Sequence, residues 1–271
     1  MQIQIRRLAL ASALLVSASA HALGDQQAEL GNYFPDTSGT SAPSNWRFAP
    51  GQLFNGVAAL DGVARLSFTT SGGGSYACSG SLLAGGLYVL TAGHCGDDFT
   101  SMTVQFGFAN GVAAVTRTVA AGDVTLHPAW QGFDNSADAG SDLAILKLNA
   151  PVTTIQGYQL STTNDLGKTF LMAGYGTVTQ GGSNAGSSWS DSAFGHYGYN
   201  TADVDSKTFN LTLNNFVPGW GATAGYYVGT TYMSDFDDGT AGSNTLGRIA
   251  GVTGSAWSSG TGLGANEALI A

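Results

Sequence analysis

Short apolar runs separated by glycine-rich turns dominate the sequence and restrict it to a small set of β folds. No long window shows the three- and four-residue apolar spacing of an amphipathic helix. The 271 residues include 40 Gly and only 10% charged residues, so turn formers are common and good helix formers are scarce. Hydrophobic residues make up 43% of the chain, which is enough for a core and argues against intrinsic disorder. In the first half, β-like runs are predicted at 62–68, 81–91, 102–108, 112–120 and 143–148.

A second β-rich stretch follows a connector at residues 150–165. Its apolar runs lie at 169–178, 207–213 and 226–233, between loops rich in Gly, Ser and Asn. The chain has no repeat of fixed period, which argues against a solenoid or a propeller. We therefore expect two consecutive β units, the first at about residues 55–150 and the second at about residues 165–271.

The first 22 residues have the order of charge, apolar core and small residues that is typical of a secretory signal peptide. Arg6 and Arg7 precede an apolar run at 8–16, which is much shorter than the roughly 20 residues that span a bilayer. Small residues lead up to Ala22, and residues 23–54 are a polar, proline-containing leader or linker. The sequence thus predicts a secreted or periplasmic protein with no later membrane span.

The chain is acidic, with 9 Lys and Arg against 18 Asp and Glu and a net charge of −9. Loss of Arg6 and Arg7 with a signal peptide would make it more acidic still. Such a surface argues against nucleic acid and anionic lipid as partners.

The two cysteines, Cys78 and Cys95, are most simply read as one disulfide in an oxidising compartment. A metal site would need further ligands, and a single neighbouring histidine is weak support for one.

Two polar residues beside apolar strands are candidates for acid–base chemistry. His94 follows the run at 88–91 at a turn of small residues, next to Cys95, and a disulfide there would restrict the ring of a general base. Asp142 precedes the run at 143–148, where its carboxylate could accept a hydrogen bond from an imidazole. Taken singly, His94 also fits a surface histidine beside a structural disulfide, and Asp142 fits a carboxylate that caps a turn.

Together these segments resemble the trypsin/chymotrypsin family of serine proteases. The resemblance lies in Thr91-Ala92-Gly93-His94-Cys95, in the segment 142–148, in Leu126-His127-Pro128 and in Ala173-Gly174-Tyr175-Gly176. It implies an all-β fold of two antiparallel six-stranded barrels of chymotrypsin type, the second incomplete in this chain. It also implies that Cys78 pairs with Cys95, that His94 is the general base and later the acid, and that Asp142 orients it. The implied function is a serine endopeptidase acting on protein or peptide substrates without a cofactor or a metal; oligomeric state is left open.

The nucleophile of that family, a serine within Gly-Asp-Ser-Gly-Gly, has no match in this sequence. Asp191-Ser192 and Asp205-Ser206 lack the flanking glycines that let two backbone amides point into one oxyanion cavity. We expect no nucleophile in this chain, which is then inactive as given and ends just before the serine loop of a longer enzyme. The alternative is a secreted non-catalytic homologue that acts as a binding module.

Three further features receive no catalytic role from the sequence. His127 and His196 match no role in the family and suit structural or surface positions. The acidic segment 235–239 lacks the Glu that an EF-hand loop needs, and it is interpreted as a solvated turn. The basic site nearest to a possible maturation cleavage is Arg47, before Phe48, and nothing there resembles the activation site of trypsin.

Overall fold

The computed structural model describes residues 47–132, 140–176, 178–179, 192–216, 231–234, 246–247, 251, 257 and 269–270. Strands are the main regular structure among these residues, as the sequence predicts. The strands are β1 (Arg47–Phe48), β2 (Val63–Thr69), β3 (Ser75–Leu82), β4 (Tyr88–Thr91), β5 (Ser101–Phe106), β6 (Val115–Val119), β7 (Val124–Leu126), β8 (Ala144–Lys147), β9 (Thr169–Gly174), β10 (Val178–Thr179), β11 (Gly195–Thr201), β12 (Val204–Asp205), β13 (Tyr232–Met233) and β14 (Leu269–Ile270).

Seven of these strands form one antiparallel sheet in the first unit, in the order β6-β5-β2-β3-β4-β8-β7. Every run predicted in this part of the chain overlaps a strand of the sheet. The run at 81–91 contains the end of β3 and all of β4, because Gly85 and Gly86 reverse the chain between them. Their φ angles of 92° and 73° are open to glycine and rare for other residues.

The two edge strands of this sheet are consecutive in the chain. A single 3₁₀ turn, Ala121–Asp123, connects β6 to β7. The amide of Asn149, just after β8, also donates to the carbonyl of Thr118 in β6, at 3.0 Å. Because β6 and β7 are joined directly but lie at opposite edges, the sheet is curled. Counted as one strand with a bend at 121–123, they reduce the seven strands to the expected six.

Alternate residues of the central strands fill the inside of the curled sheet. Leu66 of β2 and Val104 and Phe106 of β5 are all 0% exposed, while their neighbours Arg65 and Gln105 point outward. Burying each large apolar side chain stabilises the fold by roughly 1.5–3 kcal/mol. The alternation of apolar and polar residues in the sequence is therefore the alternation of buried and outward-facing side chains in the sheet.

The second unit is built around the sheet β1-β11-β9 and a cluster of aromatic rings. Phe48 lies opposite Gly195 in the register of β1 and β11, and its ring occupies the space that a side chain at Gly195 would need. Residues 47–54, which the sequence analysis places in the leader, contribute two buried rings to the cluster. Its buried aromatic members are Phe48, Phe54, Phe108, Tyr158, Tyr175, Tyr197 and Tyr199.

The prediction of β structure at 207–213 is wrong, because these residues lie in helix α1 (Ser206–Phe216). Phe209, Leu211 and Leu213 alternate as in a strand, but Leu211 is 60% exposed and Phe209 is 5% exposed. The decisive signal is Asp205, whose carboxylate accepts from the Thr208 amide at 2.8 Å and from the Thr208 hydroxyl at 2.9 Å. This is an N-cap, which starts a helix at the next residue.

Several predictions fall outside the described residues. They concern the signal peptide, most of the leader, the acidic segment 235–239 and most of the run at 226–233, of which Tyr232–Met233 is the described strand. Within the described part of the chain, no helix has the length and apolar character needed to cross a membrane.

Replacing Asp205 with Ala should destabilise the protein by roughly 0.5–2 kcal/mol, because the amide at the start of α1 loses its acceptor. Asp205→Asn keeps a side-chain oxygen and should lose much less. Urea unfolding followed by circular dichroism measures both; equal losses for the two variants would contradict the cap.

Candidate active site

A short turn after β4 carries His94, and a disulfide holds it. The 3₁₀ turn Gly93–Cys95 follows Thr91 after one residue. Cys95 is bonded to Cys78 of β3, with their Cα atoms 6.3 Å apart, so the predicted disulfide is confirmed. The Thr91 hydroxyl adds a second link to β3, because it donates to the carbonyl of Ser79 at 2.7 Å.

The pairing of β4 with β8 brings Asp142 to this turn. The two strands are antiparallel, and Thr91 lies opposite Ala144. The residues that follow Thr91 and those that precede Ala144 therefore leave the sheet at the same end. Asp142 is two residues before Ala144 and His94 is three residues after Thr91, so both lie just beyond the ends of their strands.

The Asp142 carboxylate contacts His94 at two points. The distance from Asp142 Oδ2 to His94 Nδ1 is 2.8 Å, and Asp142 Oδ1 accepts from the backbone amide of His94 at 2.9 Å. The Asp142 side chain is 9% exposed and that of His94 is 43% exposed. An ionised carboxylate makes Nδ1 the protonated nitrogen of a neutral ring, which assigns the basic lone pair to Nε2.

Gly93 leaves room for this contact. A Cβ atom at Gly93 would lie 3.1 Å from Asp142 Oδ1, 3.1 Å from the Leu143 amide nitrogen and 2.9 Å from Cε3 of Trp130. All three separations are tighter than ordinary van der Waals contact, so the carboxylate approaches the turn closely only because residue 93 has no side chain.

A second turn, at residues 127–130, is attached to the aspartate segment. The amide of His127 donates to the Leu143 carbonyl at 2.8 Å, and the Trp130 amide donates to the His127 carbonyl at 2.8 Å. Nδ1 of the His127 ring accepts from the Ala129 amide at 3.2 Å. Desolvation by burial lowers the pKa of His127 from its ordinary value of 6.5, which favours the neutral ring that this acceptor role requires.

The second unit contacts the disulfide region through Tyr175, one of the residues that carry the family resemblance. Its amide donates to Ser79 Oγ at 2.8 Å, and its hydroxyl donates to the Phe108 carbonyl at 3.3 Å. Burial raises the pKa of Tyr175 to about 12, so the phenol remains a donor over the physiological range. The residue after Cys78 is thereby connected to the second unit.

The structure brings Cys78, Cys95, His94 and Asp142 together, and it places the other two singled-out histidines elsewhere. His127 lies in the turn beside Leu143, and His196 is 2% exposed within β11. The sulfurs of Cys78 and Cys95 and a ring nitrogen of His94 lie within 4.8 Å of one another. A disulfide offers no thiolate to a metal, so this trio is not a metal site while the bond is intact.

Sequence reasoning missed Trp130, the aromatic residue that packs on Gly93. The signal available for it was the His127-Pro128 turn, which stops the strand before Trp130 but does not specify which surface the indole covers.

Comparisons with known proteins bear on the family and the fold. The family model described as Trypsin matches residues 55–206. A comparison with curated proteins finds no match. Among solved structures, HL collagenase is similar at 19% identity and a TM-score of 0.51, over 80% of this chain and 89% of that one.

Two further structures have lower scores. The protease Anisep from Arthrobacter nicotinovorans is 19% identical, with a TM-score of 0.42 over 59% of this chain and 68% of that one. Neuropsin, a serine protease expressed in mouse brain, is 16% identical, with a TM-score of 0.45 over 64% and 68% of the two chains. The HL collagenase match bears on the fold alone and supports the expected chymotrypsin-like all-β architecture.

Gly93→Ala should destabilise the protein by roughly 1–3 kcal/mol, because the new methyl group meets atoms on three sides. Gly122→Ala is the matched control, since nothing lies within 4 Å of a Cβ there. Urea unfolding of both variants tests this; equal stability of the two would contradict the close approach.

Stability should also fall as the pH is lowered through about 6.5, because the unfolded chain protonates His127 more readily than the folded chain does. The loss levels off once the pH is below the lowered pKa of the folded state. His127→Asn keeps a side-chain acceptor and removes the titration. Urea unfolding over a pH series should show a weaker slope in this variant; parallel curves would exclude a contribution from His127.

Proposed function

Because the chain belongs to the trypsin family, we propose that it is a serine endopeptidase whose acid–base chemistry runs through His94 and Asp142. The family match covers more than half of the chain, and this membership supports a serine protease function with protein substrates. The single observation that carries the assignment of residues is the two-point contact of the Asp142 carboxylate with His94.

The geometry suits the orienting role of Asp142. The contact with Nδ1 selects one tautomer of the ring, and the contact with the backbone amide of the same residue limits movement of the turn. Burial of the carboxylate keeps it from being screened by water, so it stabilises the imidazolium that forms when His94 accepts a proton.

In the proposed reaction Nε2 of His94 accepts the proton of a serine hydroxyl as the serine oxygen adds to the carbonyl carbon of a peptide bond. The proton is then donated to the leaving amine, the C–N bond breaks, and an acyl-enzyme remains. A water molecule, deprotonated by the same nitrogen, hydrolyses this ester and restores the serine. We assign the nucleophile to no serine of this sequence, and we expect residues 1–271 alone to be inactive.

We further propose that the protein is exported through a signal peptide at residues 1–22. Trypsin-like proteases are commonly secreted, and the disulfide between Cys78 and Cys95 is of the kind that persists in an oxidising compartment.

In the protein produced by its natural host, the substitution His94→Ala should reduce peptide turnover by roughly 10⁴ or more, because the serine loses its base. Asp142→Asn should cause a loss of similar order through the wrong ring tautomer. Asp123→Asn is the control: Asp123 has an exposed carboxylate that lies 3.7 Å from Lys147 Nζ, and its loss should leave turnover unchanged.

A fluorophosphonate, which phosphonylates activated serines with loss of fluoride, provides a second measurement. Labelling should require His94, and peptide mapping of the labelled protein identifies the serine. Unchanged turnover in His94→Ala would overturn the assignment, whereas absence of both turnover and labelling in the unsubstituted protein would favour the non-catalytic binding module.

A further inference from the structure

The indole of Trp130 lies against the residue that precedes His94. Its Cε3 atom would be 2.9 Å from a Cβ on Gly93, and the Asp142 carboxylate would be 3.1 Å from the same point. The ring and the carboxylate thus both approach the turn at Gly93, where the turn has no side chain.

The position of Trp130 depends on the same segment that carries Asp142. Its amide is bonded to the His127 carbonyl, and the amide of His127 is bonded to the carbonyl of Leu143, the residue after Asp142. Trp130 is therefore attached by two backbone hydrogen bonds to the aspartate side of the pair, while its ring packs on the histidine side. It bridges the two segments that must stay in register.

The carboxylate that approaches the same turn is largely shielded from water. The Asp142 side chain is only 9% exposed although it lies beyond the end of β8, and Trp130, which packs on the same turn, is half-buried. A charge-assisted hydrogen bond is stronger in a site of low dielectric constant, so an apolar cover favours the contact between Asp142 and Nδ1 of His94.

We infer that Trp130 is a positioning residue for the His94–Asp142 pair: its ring holds the turn at Gly93 against the aspartate segment and keeps water from the carboxylate. This inference rests on the proposed function, and it assigns Trp130 no contact with the substrate. The narrow space over Gly93 accepts a flat aromatic ring. Phe at position 130 should therefore keep part of the positioning effect of Trp130, and Ala should not.

The test follows the His94 Nδ1–H proton by NMR and measures its exchange with water. Exchange should be at least about tenfold faster in Trp130→Ala and close to the unsubstituted rate in Trp130→Phe. Trp257→Ala is the matched control, because Trp257 is also half-buried but packs on Phe209 in the second unit, with ring centroids 6.2 Å apart. An unchanged rate in Trp130→Ala, or an equal increase in Trp257→Ala, would overturn the inference.

A double-mutant cycle keeps the test decisive if Trp130→Ala does not fold. Gly93→Ala should shift the unfolding equilibrium less in a Trp130→Phe background than in the unsubstituted protein, by roughly threefold or more, because the smaller ring makes room for the methyl group. If the two substitutions change the free energy of unfolding independently, the indole does not restrict the space at Gly93.

The two hypotheses fail in different ways. If the unsubstituted protein shows no His94 Nδ1–H resonance bonded to Asp142, the proposed function loses its basis together with this inference. If that resonance is present and Trp130→Ala leaves its exchange unchanged, only the role of Trp130 is lost.

Discussion

The antiparallel pairing of β4 with β8 determines where the candidate active site forms. With Thr91 opposite Ala144, the segments that carry His94 and Asp142 leave the sheet together. A shift of one residue in this register would move the buried side chains of β8 to the opposite face and carry Asp142 away from the turn. The core and the site therefore depend on the same strand pair, because Leu146 of β8 and Val89 of β4 are both fully buried.

The turn at residues 93–95 is restrained from three directions. The disulfide ties Cys95 to β3, the carboxylate of Asp142 accepts from the amide of His94, and the indole of Trp130 covers Gly93. A general base is effective when its ring is already oriented before the substrate arrives. The absence of a side chain at Gly93 is what allows the carboxylate and the indole to approach together.

The sequence was informative where chemistry and local spacing coincide. The closeness of His94 to Asp142 and the pairing of the cysteines could be predicted because the segments at 91–95 and 142–148 resemble those of the trypsin/chymotrypsin family. The strands of the first unit could be predicted because one face of each is buried. The helix was missed because Phe209, Leu211 and Leu213 alternate as in a strand. Asp205, whose cap favours a helix, was considered only as the residue before Ser206 in a possible serine motif. The contribution of Phe48 could not be predicted, because its partner Gly195 is far away in the sequence.

The second unit acts on the site through its contacts with the first. Tyr175 binds Ser79 Oγ through its amide and the Phe108 carbonyl through its hydroxyl, so one residue joins the strand of Cys78 to the end of β5. Phe48, Phe108 and Tyr175 pack edge to face, with the Tyr175 ring centroid 5.6 Å from that of Phe48 and 5.8 Å from that of Phe108. Because these rings come from three separate parts of the chain, a change in any of them alters the support behind Ser79 and Cys78. A continuous series of contacts therefore links the aromatic cluster to the turn of His94, through Ser79, β3 and the disulfide.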